Sequence, residues 1–415
     1  MTSQPIEPSE RIQSLDVIRG FALLGILLMN IEYFQKPMQA VVFGLDMTQT
    51  GIDYAVALFV YVFVQGKFYT MFSLLFGIGF VIFLDRALAR GVAPRVLFAR
   101  RLFGLVLIGA AHAFLVWSGD ILLMYGLVGL LLLLFAKTPA KRLWKWGLAF
   151  LIFPAALMWL GAVGIELAMN SPKGPEMVAE FEATRASITA DIAHGHVVYG
   201  SGTYLEAVSW RIHEWTTLYG GGGWLFFSTS ILGLFLIGAS FGRAGVFAAP
   251  AASAPLFRRL ALFGFLIGLP AALYVGMNAG AVEMMYPTIA GAKVFSAATV
   301  ANLALCLAYV ASLALLLQRA APARVLSRLA PAGRMALTNY LTHSVVFTLL
   351  FYGYGLGLYG EYGRAATTVM ALVLFAAQVW FSGWWLDRHR IGPMEWLWRT
   401  MTYGRLQPLR LSPAL

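Results

Sequence analysis

Apolar stretches long enough to cross a bilayer recur along nearly the whole chain, parted by short polar segments. Ten spans are predicted, at roughly 17–35, 54–85, 102–118, 120–136, 146–167, 219–241, 259–277, 291–318, 335–355 and 365–386. About 20 predominantly apolar residues suffice to cross the hydrocarbon core as a helix. The second stretch exceeds that, and Gly66-Lys67 in its middle predicts a break or kink. The third and fourth are joined by Ser118-Gly119-Asp120, which predicts a tight hairpin. The expected fold is all-α, a polytopic membrane bundle of about ten transmembrane helices.

One polar segment breaks the rhythm, residues 168–218 between spans five and six. Pro175 to Ile192 alternates acids with small apolar residues and predicts a helix. The second half gathers His194, His196, Trp210, Arg211, His213, Glu214 and Trp215. After span ten, Gly392-Pro393-Met394-Glu395-Trp396-Leu397-Trp398-Arg399 predicts a short interfacial helix, with Pro in its first turn. The organisation expected is one integral membrane domain over 1–415. Within it, 168–218 is an extracytoplasmic loop and 391–415 a cytoplasmic interfacial helix and tail.

Composition agrees with this pattern. Of 415 residues, 60% are hydrophobic and 12% charged, against about 25% charged in soluble domains. The lone Cys306 rules out an internal disulfide, and the six His lack metal-ligand spacing, so no metal is expected. The net charge of +11 is explained by topology. Arg and Lys crowd alternate loops (Arg86 to Arg101, Lys137 to Lys145, Arg243 to Arg259, Arg319 to Arg334) and the tail. The positive-inside rule then makes both termini cytoplasmic, and no nucleic-acid partner is expected. Residues 1–16 are acidic, with Glu7, Glu10 and Asp16 against Arg11, so the first span is expected to be a retained helix.

Several strings, in order along the chain, resemble the YeiB-like family of bacterial inner-membrane proteins of unknown function. They are Ser14-Leu15-Asp16-Val17-Ile18-Arg19-Gly20; Gly66-Lys67-Phe68 running into Phe72 to Gly77; Gly119-Asp120-Ile121-Leu122 with Tyr125; Gly333 to Tyr340; and Gly392 to Trp396. The family is in turn similar, more distantly, to ten-helix membrane acyltransferases of the heparan glucosaminide acetyltransferase type. That likeness rests on the Asp-x-x-Arg-Gly opening and the span count. It implies an inner-membrane enzyme that draws an acyl group from cytosolic acyl-CoA. The acceptor would be a hydroxyl or amine on the far side, on a sugar, a lipid or a secreted small molecule. Sugar-acetylating relatives place a His eleven residues after the first-helix Arg, where this chain has Asn30. The glucosaminide branch uses a His in the first far-side loop, and residues 36–53 contain none.

The residues themselves offer candidates for such chemistry, each with a structural alternative. A charge set into a span costs at least about 2.5–3.5 kcal/mol and is commonly functional. Asp16 and Arg19 share a helix face, and Asn30 returns to that face three turns later. They line a donor passage or close the bundle as a structural pair. Lys67 needs a partner, Glu32 or Asp120; it binds a thioester carbonyl or substrate anion, or fixes packing. Ser73 lies nearby, though hydroxyls in membrane helices commonly bond only the backbone.

His112 and Tyr125 are expected at equal depth across the hairpin. With Asp120 at the rim they form a candidate general base, or else an interhelical hydrogen bond and a helix cap. His343, with Asn339 one turn earlier, is the second candidate base. Arg211, His213 and Trp215 form a candidate acceptor-binding lid or an interfacial belt. Arg100 and Arg101 are candidate contacts for the donor phosphates. No phosphate-binding loop, paired metal carboxylates or nucleophile elbow occurs, which disfavours ATPase, metallohydrolase and serine-hydrolase chemistry. The alternatives to an acyltransferase are a transporter of a small amphiphile and a non-catalytic membrane partner or sensor on the same scaffold. Membrane lipid and a small-molecule acceptor are the expected partners.

Overall fold

The computed structural model describes residues 12–220, 222–281 and 286–411. The acidic leader Glu7, Glu10 and Arg11 lies outside them. No β-strand forms among the described residues; one isolated bridge joins His389 to Arg410. The helices are α1 (Gln13–Asn30), α2 (Gly51–Phe63), α3 (Lys67–Ala89), α4 (Pro94–Ala111), α5 (Leu122–Leu131), α6 (Ala140–Met169), α7 (Gly174–Ser201) and α8 (Tyr204–Tyr219). They continue as α9 (Gly223–Arg243), α10 (Ala254–Met277), α11 (Ile289–Leu316), α12 (Ala320–Leu326), α13 (Ala330–Arg334), α14 (Ala336–Phe351), α15 (Arg364–Leu386) and α16 (Pro393–Tyr403).

Among the described residues, eight helical stretches are long and apolar enough to cross a membrane. The protein is therefore a multi-pass, all-α membrane protein. Two predicted spans, 120–136 and 335–355, coincide with the shorter apolar helices Leu122–Phe135 and Ala336–Phe351. The predicted break in the second span falls where it was expected. Helix α2 ends at Phe63, α3 starts at Lys67, and Gly66 between them has φ +83°. An L side chain rarely adopts that conformation, and a Cβ there would run into the Asn302 side chain.

At the centre, α3 crosses α9 with backbones nearly touching. A Cβ on Gly77 would collide with the Phe235 carbonyl, and one on Gly238 with that of Leu74. Lipid tails are as apolar as Leu, so close van der Waals approach through small residues replaces the hydrophobic drive between such helices. Around this crossing packs a core that includes Leu23, Met71, Leu74, Phe235 and Ile237, each 4% exposed or less. Helix α6 by contrast turns Ile152, Phe153, Leu160 and Val163 outward, as a lipid-facing helix should.

The long segment between spans five and six is two helices, α7 and α8. Helix α8 begins with a capping box, in which Thr203 accepts from the Glu206 amide while Glu206 accepts from that of Thr203. The short helix predicted after span ten is α16. Its Trp398 indole donates to the Arg101 carbonyl at 2.7 Å and so ties the helix to α4.

Candidate functional site

A cavity of about 1020 Å³ runs through the bundle. Its extent can be read along two helices. On α3 its lining reaches from Lys67 to Arg86, and on α1 from Asp16 to Asn30 and on to Tyr33. At 1.5 Å per residue the α3 stretch alone is about 28 Å, close to the roughly 30 Å thickness of a bilayer core. Much of the wall is apolar, with polar groups gathered at three depths.

The first is an arginine-rich mouth. Arg19, Arg86, Arg101, Arg334 and Arg399 all line the cavity there, with Asp16 and Glu395 as the acids. Arg19 donates to Asp16 Oδ1 at 2.7 Å, as the helical spacing predicts. Arg101 stacks over the Trp398 ring, 3.7 Å from its centroid, and lies within electrostatic reach of Arg19 and Arg399. Glu395 reaches from α16 to the start of α14, where it accepts from the Leu337 amide at 2.7 Å and the Thr338 hydroxyl at 2.6 Å. A carboxylate at a helix N-terminus satisfies otherwise orphaned amides. Burial raises the Glu395 carboxyl above its ordinary range, against those bonds. Glu395 is thus committed to the helix, and among the described residues the mouth is lined by more cations than acids.

The second group sits at the break between α2 and α3. Gln65, Gly66, Lys67 and Thr70 line the cavity there, facing Asn30 on α1 and Asn302 on α11. Lys67 is 2% exposed. The partners expected for it are both engaged elsewhere. Glu32 faces Lys36 and Arg364 at 3.3 and 3.7 Å, and Asp120 is taken by His112. Among the described residues no side chain pairs with the Lys67 ammonium.

The third lies at the hairpin between α4 and α5. Helix α4 ends in a wide π-type turn, His112–Val116, closed by the Trp117 amide donating to the His112 carbonyl at 2.8 Å. Such turns are rare and are concentrated at functional sites. The turn leaves His112 Nδ1 2.6 Å from Asp120 Oδ2. A carboxylate only accepts, so Nδ1 is the donor, and in the neutral ring Nε2 is then the nitrogen with the free lone pair. The second Asp120 oxygen accepts from the Leu123 amide at 2.7 Å, so the cap and the His partner are the same residue.

His112 Nε2 is buried with no partner among the described residues. Its ring lies 5.3 Å from that of Tyr340, and Tyr340, Trp117 and Asp120 form the cavity wall in front of it. This corrects the expected His112–Tyr125 pair. Tyr125 instead meets Ser73 Oγ at 2.6 Å, and the Tyr69 carbonyl lies 3.1 Å from the Tyr125 hydroxyl and 2.9 Å from that of Ser73, so one hydroxyl donates to the other and the second to the carbonyl. This hydroxyl pair joins α3 to α5; Tyr125 lines the cavity and Ser73 does not.

Other candidates lie away from the cavity. His343 Nε2 meets Gln378 Oε1 at 2.7 Å, and Gln378 donates to the Asn339 carbonyl. Asn339 donates to Ser382 Oγ at 3.0 Å. This ladder joins α14 to α15, and neither His343 nor Asn339 reaches the lining. Arg211 is fully buried. It donates to the Leu115 carbonyl at 2.9 Å and the Tyr354 hydroxyl at 2.7 Å. The carbonyl at the end of α4 needs such a donor, so Arg211 acts as a cap and not as a lid. His213 pairs with Asp191 at 2.9 Å on the surface, and Trp215 packs edge-on to Phe114. Of the two donor-phosphate candidates, Arg101 lines the cavity and Arg100 does not.

Sequence reasoning passed over Arg334, Arg399, Glu395, Tyr340 and Asn302 as site residues. For the first four a signal existed, since they fall in or beside the strings Gly333 to Tyr340 and Gly392 to Trp396. Asn302 had none beyond being polar inside a span.

Fold and cavity together define a polytopic helical membrane protein with a transverse internal chamber, cationic at one end. Residues 241–405 match the family model described as a protein of unknown function, DUF418. The chain is 33% identical to the uncharacterised protein YxaH of Bacillus subtilis over 98% of both chains. It is 30% identical to the uncharacterised protein YeiB of Escherichia coli, covering 96% of this chain and 98% of that one. The chain belongs to this YeiB-like family. No solved structure matches it.

Proposed function

We propose that the protein is a transmembrane acyltransferase of the bacterial inner membrane. In that role it takes an acyl group from cytosolic acyl-CoA and passes it to a hydroxyl or amine acceptor on the far side. The carrying observation is the chamber itself. It reaches from an arginine-rich mouth to Asp120 of a His–Asp dyad, whose His112 lies behind the lining. The abundance of Arg and Lys in the loops at that mouth makes it the cytoplasmic end. Ten spans, counting the two shorter apolar helices, then leave both termini cytoplasmic.

The chemistry follows from what each part offers. Arg101, Arg334 and Arg399 supply planar donors for the phosphates of a coenzyme A thioester. The apolar middle of the chamber excludes water from the thioester. An acceptor hydroxyl attacks the thioester carbonyl carbon while His112 Nε2 takes its proton. The C–S bond then breaks, and the imidazolium returns that proton to the departing thiolate. Asp120 holds the required tautomer and offsets the imidazolium charge. For the acceptor to reach Nε2, the Tyr340 ring must swing aside.

The test uses purified protein with radiolabelled acetyl-CoA and an envelope extract as acceptor pool. Wild type should bind acetyl-CoA and lose label to an acceptor. His112→Gln should keep binding and lose transfer; the double variant R101A/R399A should lose binding. Absence of both binding and transfer in wild type overturns the proposal. The transporter alternative gains little support, because among the described residues the Gly66–Lys67 break has no counterpart inside another long span.

A further inference from the structure

The break between α2 and α3 combines two features that each attract negative charge. The first is the start of a 23-residue helix, opened inside the bundle by Gly66 at φ +83°. Its Lys67 amide donates to the Val64 carbonyl and its Thr70 amide to that of Gly66. Among the described residues the Phe68 and Tyr69 amides find no backbone acceptor, and no side chain caps the helix. Those two amides and the helix dipole present partial positive charge. The second is the Lys67 side chain, 98% buried and lining the chamber without an anionic partner among the described residues.

A charge and two amides left without partners in an apolar interior are destabilising. The surroundings do not relieve that cost. The nearby polar lining groups, Asn30, Gln65, Thr70 and Asn302 with the Tyr33 and Tyr61 phenols, include no carboxylate. Membrane proteins with interrupted helices use such half-helix N-termini to hold anionic ligand groups. Around this polar cup the walls are apolar, with Ile26, Met29, Phe72, Phe295 and Leu303 facing the same space. A small hydrophilic anion would leave those walls bare. A single anionic head joined to an apolar chain satisfies both.

We propose that the Gly66–Lys67 break is a receptor for the carboxylate or phosphate head of an anionic amphiphile, whose chain occupies the apolar part of the chamber. The site is separate from the arginine-rich mouth: Lys67 lies about 28 Å from Arg86 along α3, and Asn30 about 16 Å from Arg19 along α1. It stands whether or not the protein transfers acyl groups.

The test measures binding to the full chain in neutral detergent by native mass spectrometry and by the shift in unfolding temperature. The probes are oleate, lysophosphatidate, uncharged monoolein and inorganic phosphate. Oleate or lysophosphatidate should bind and raise the unfolding temperature; which one does so separates a carboxylate from a lipid phosphate. Lys67→Met should weaken that binding by about tenfold or more, the worth of one charge-assisted contact. Lys293→Met, at an exposed lysine, should leave it unchanged. Monoolein competing as well as oleate on wild type, or equal oleate affinity in wild type and K67M, overturns the proposal. So does binding of inorganic phosphate alone with affinity equal to that of lysophosphatidate. The competition on wild type decides the matter even if K67M does not fold.

Discussion

Two buried polar regions of this protein look alike in the sequence and behave oppositely in the fold. One lies beneath α8, where Arg211, Glu214, Tyr199 and Ser118 meet. There each charged side chain has hydrogen-bond partners, with Arg211 Nε alone among their polar atoms making none. Glu214 accepts from the Ser118 and Tyr199 hydroxyls and from the Met38 amide at 2.8 Å, while Arg211 caps α4. Burial pushes the Glu214 carboxyl up, and those donors with Arg211 pull it back. The other lies at the α2–α3 break, where Lys67 is as deeply buried and nothing answers it. A buried charge that is fully paired holds helices together. One left bare beside a cavity is preorganised for something that comes and goes.

That contrast can be broken or sharpened by substitution. The largest effect belongs to the paired region. Arg211→Met should cost about 3–5 kcal/mol of stability, because it takes the donor from the Leu115 carbonyl and the Tyr354 hydroxyl and removes the cation that lowers the Glu214 carboxyl; unfolding in detergent measures this. Lys67→Met should act with the opposite sign on the same measurement, leaving stability unchanged or raising it by up to about 3 kcal/mol. A loss comparable to R211M would erase the distinction between the two regions.

His343→Leu removes one rung of the α14–α15 ladder and should cost about 1 kcal/mol, in line with measured polar contacts between membrane helices. Label transfer from acetyl-CoA should be intact in that variant. Abolished transfer with normal stability would move His343 from scaffold to chemistry.

The smallest effect is at the surface pair Lys36–Asp46, 2.6 Å apart. Burial alone would raise the Asp46 carboxyl, but the Lys36 and Thr48 bonds hold it well below the ordinary carboxylate range. The unfolded chain therefore binds this proton first as pH falls. The pair's stabilisation is present above about pH 4 and is lost progressively below it. For a partly exposed pair the amount is below about 1 kcal/mol. Asp46→Asn should narrow the difference in unfolding temperature between pH 7 and pH 3.

The membrane character, the helix boundaries near the spans, the break at Gly66-Lys67 and the tie between Asp16 and Arg19 were all legible from local pattern. Each depends on residues close in sequence, where helical spacing and hydropathy act directly. Partner choice was not legible. His112 takes Asp120 instead of Tyr125 because a π-type turn at the end of α4 changes the helix phase by one residue. Arg211 becomes a cap because α8 packs under the α4 terminus. Glu395 reaches the start of α14 across 58 positions of sequence, counted from Leu337.

What the chain alone determines is which segments leave water and which charges must go with them, since transfer into lipid is a property of composition over some twenty residues. Whether a given charge ends up quenched or left facing empty space is decided by the helices that arrive from elsewhere. Hydrogen bonds are directional and act over about 3 Å, so a shift of one residue in one neighbouring helix exchanges one outcome for the other.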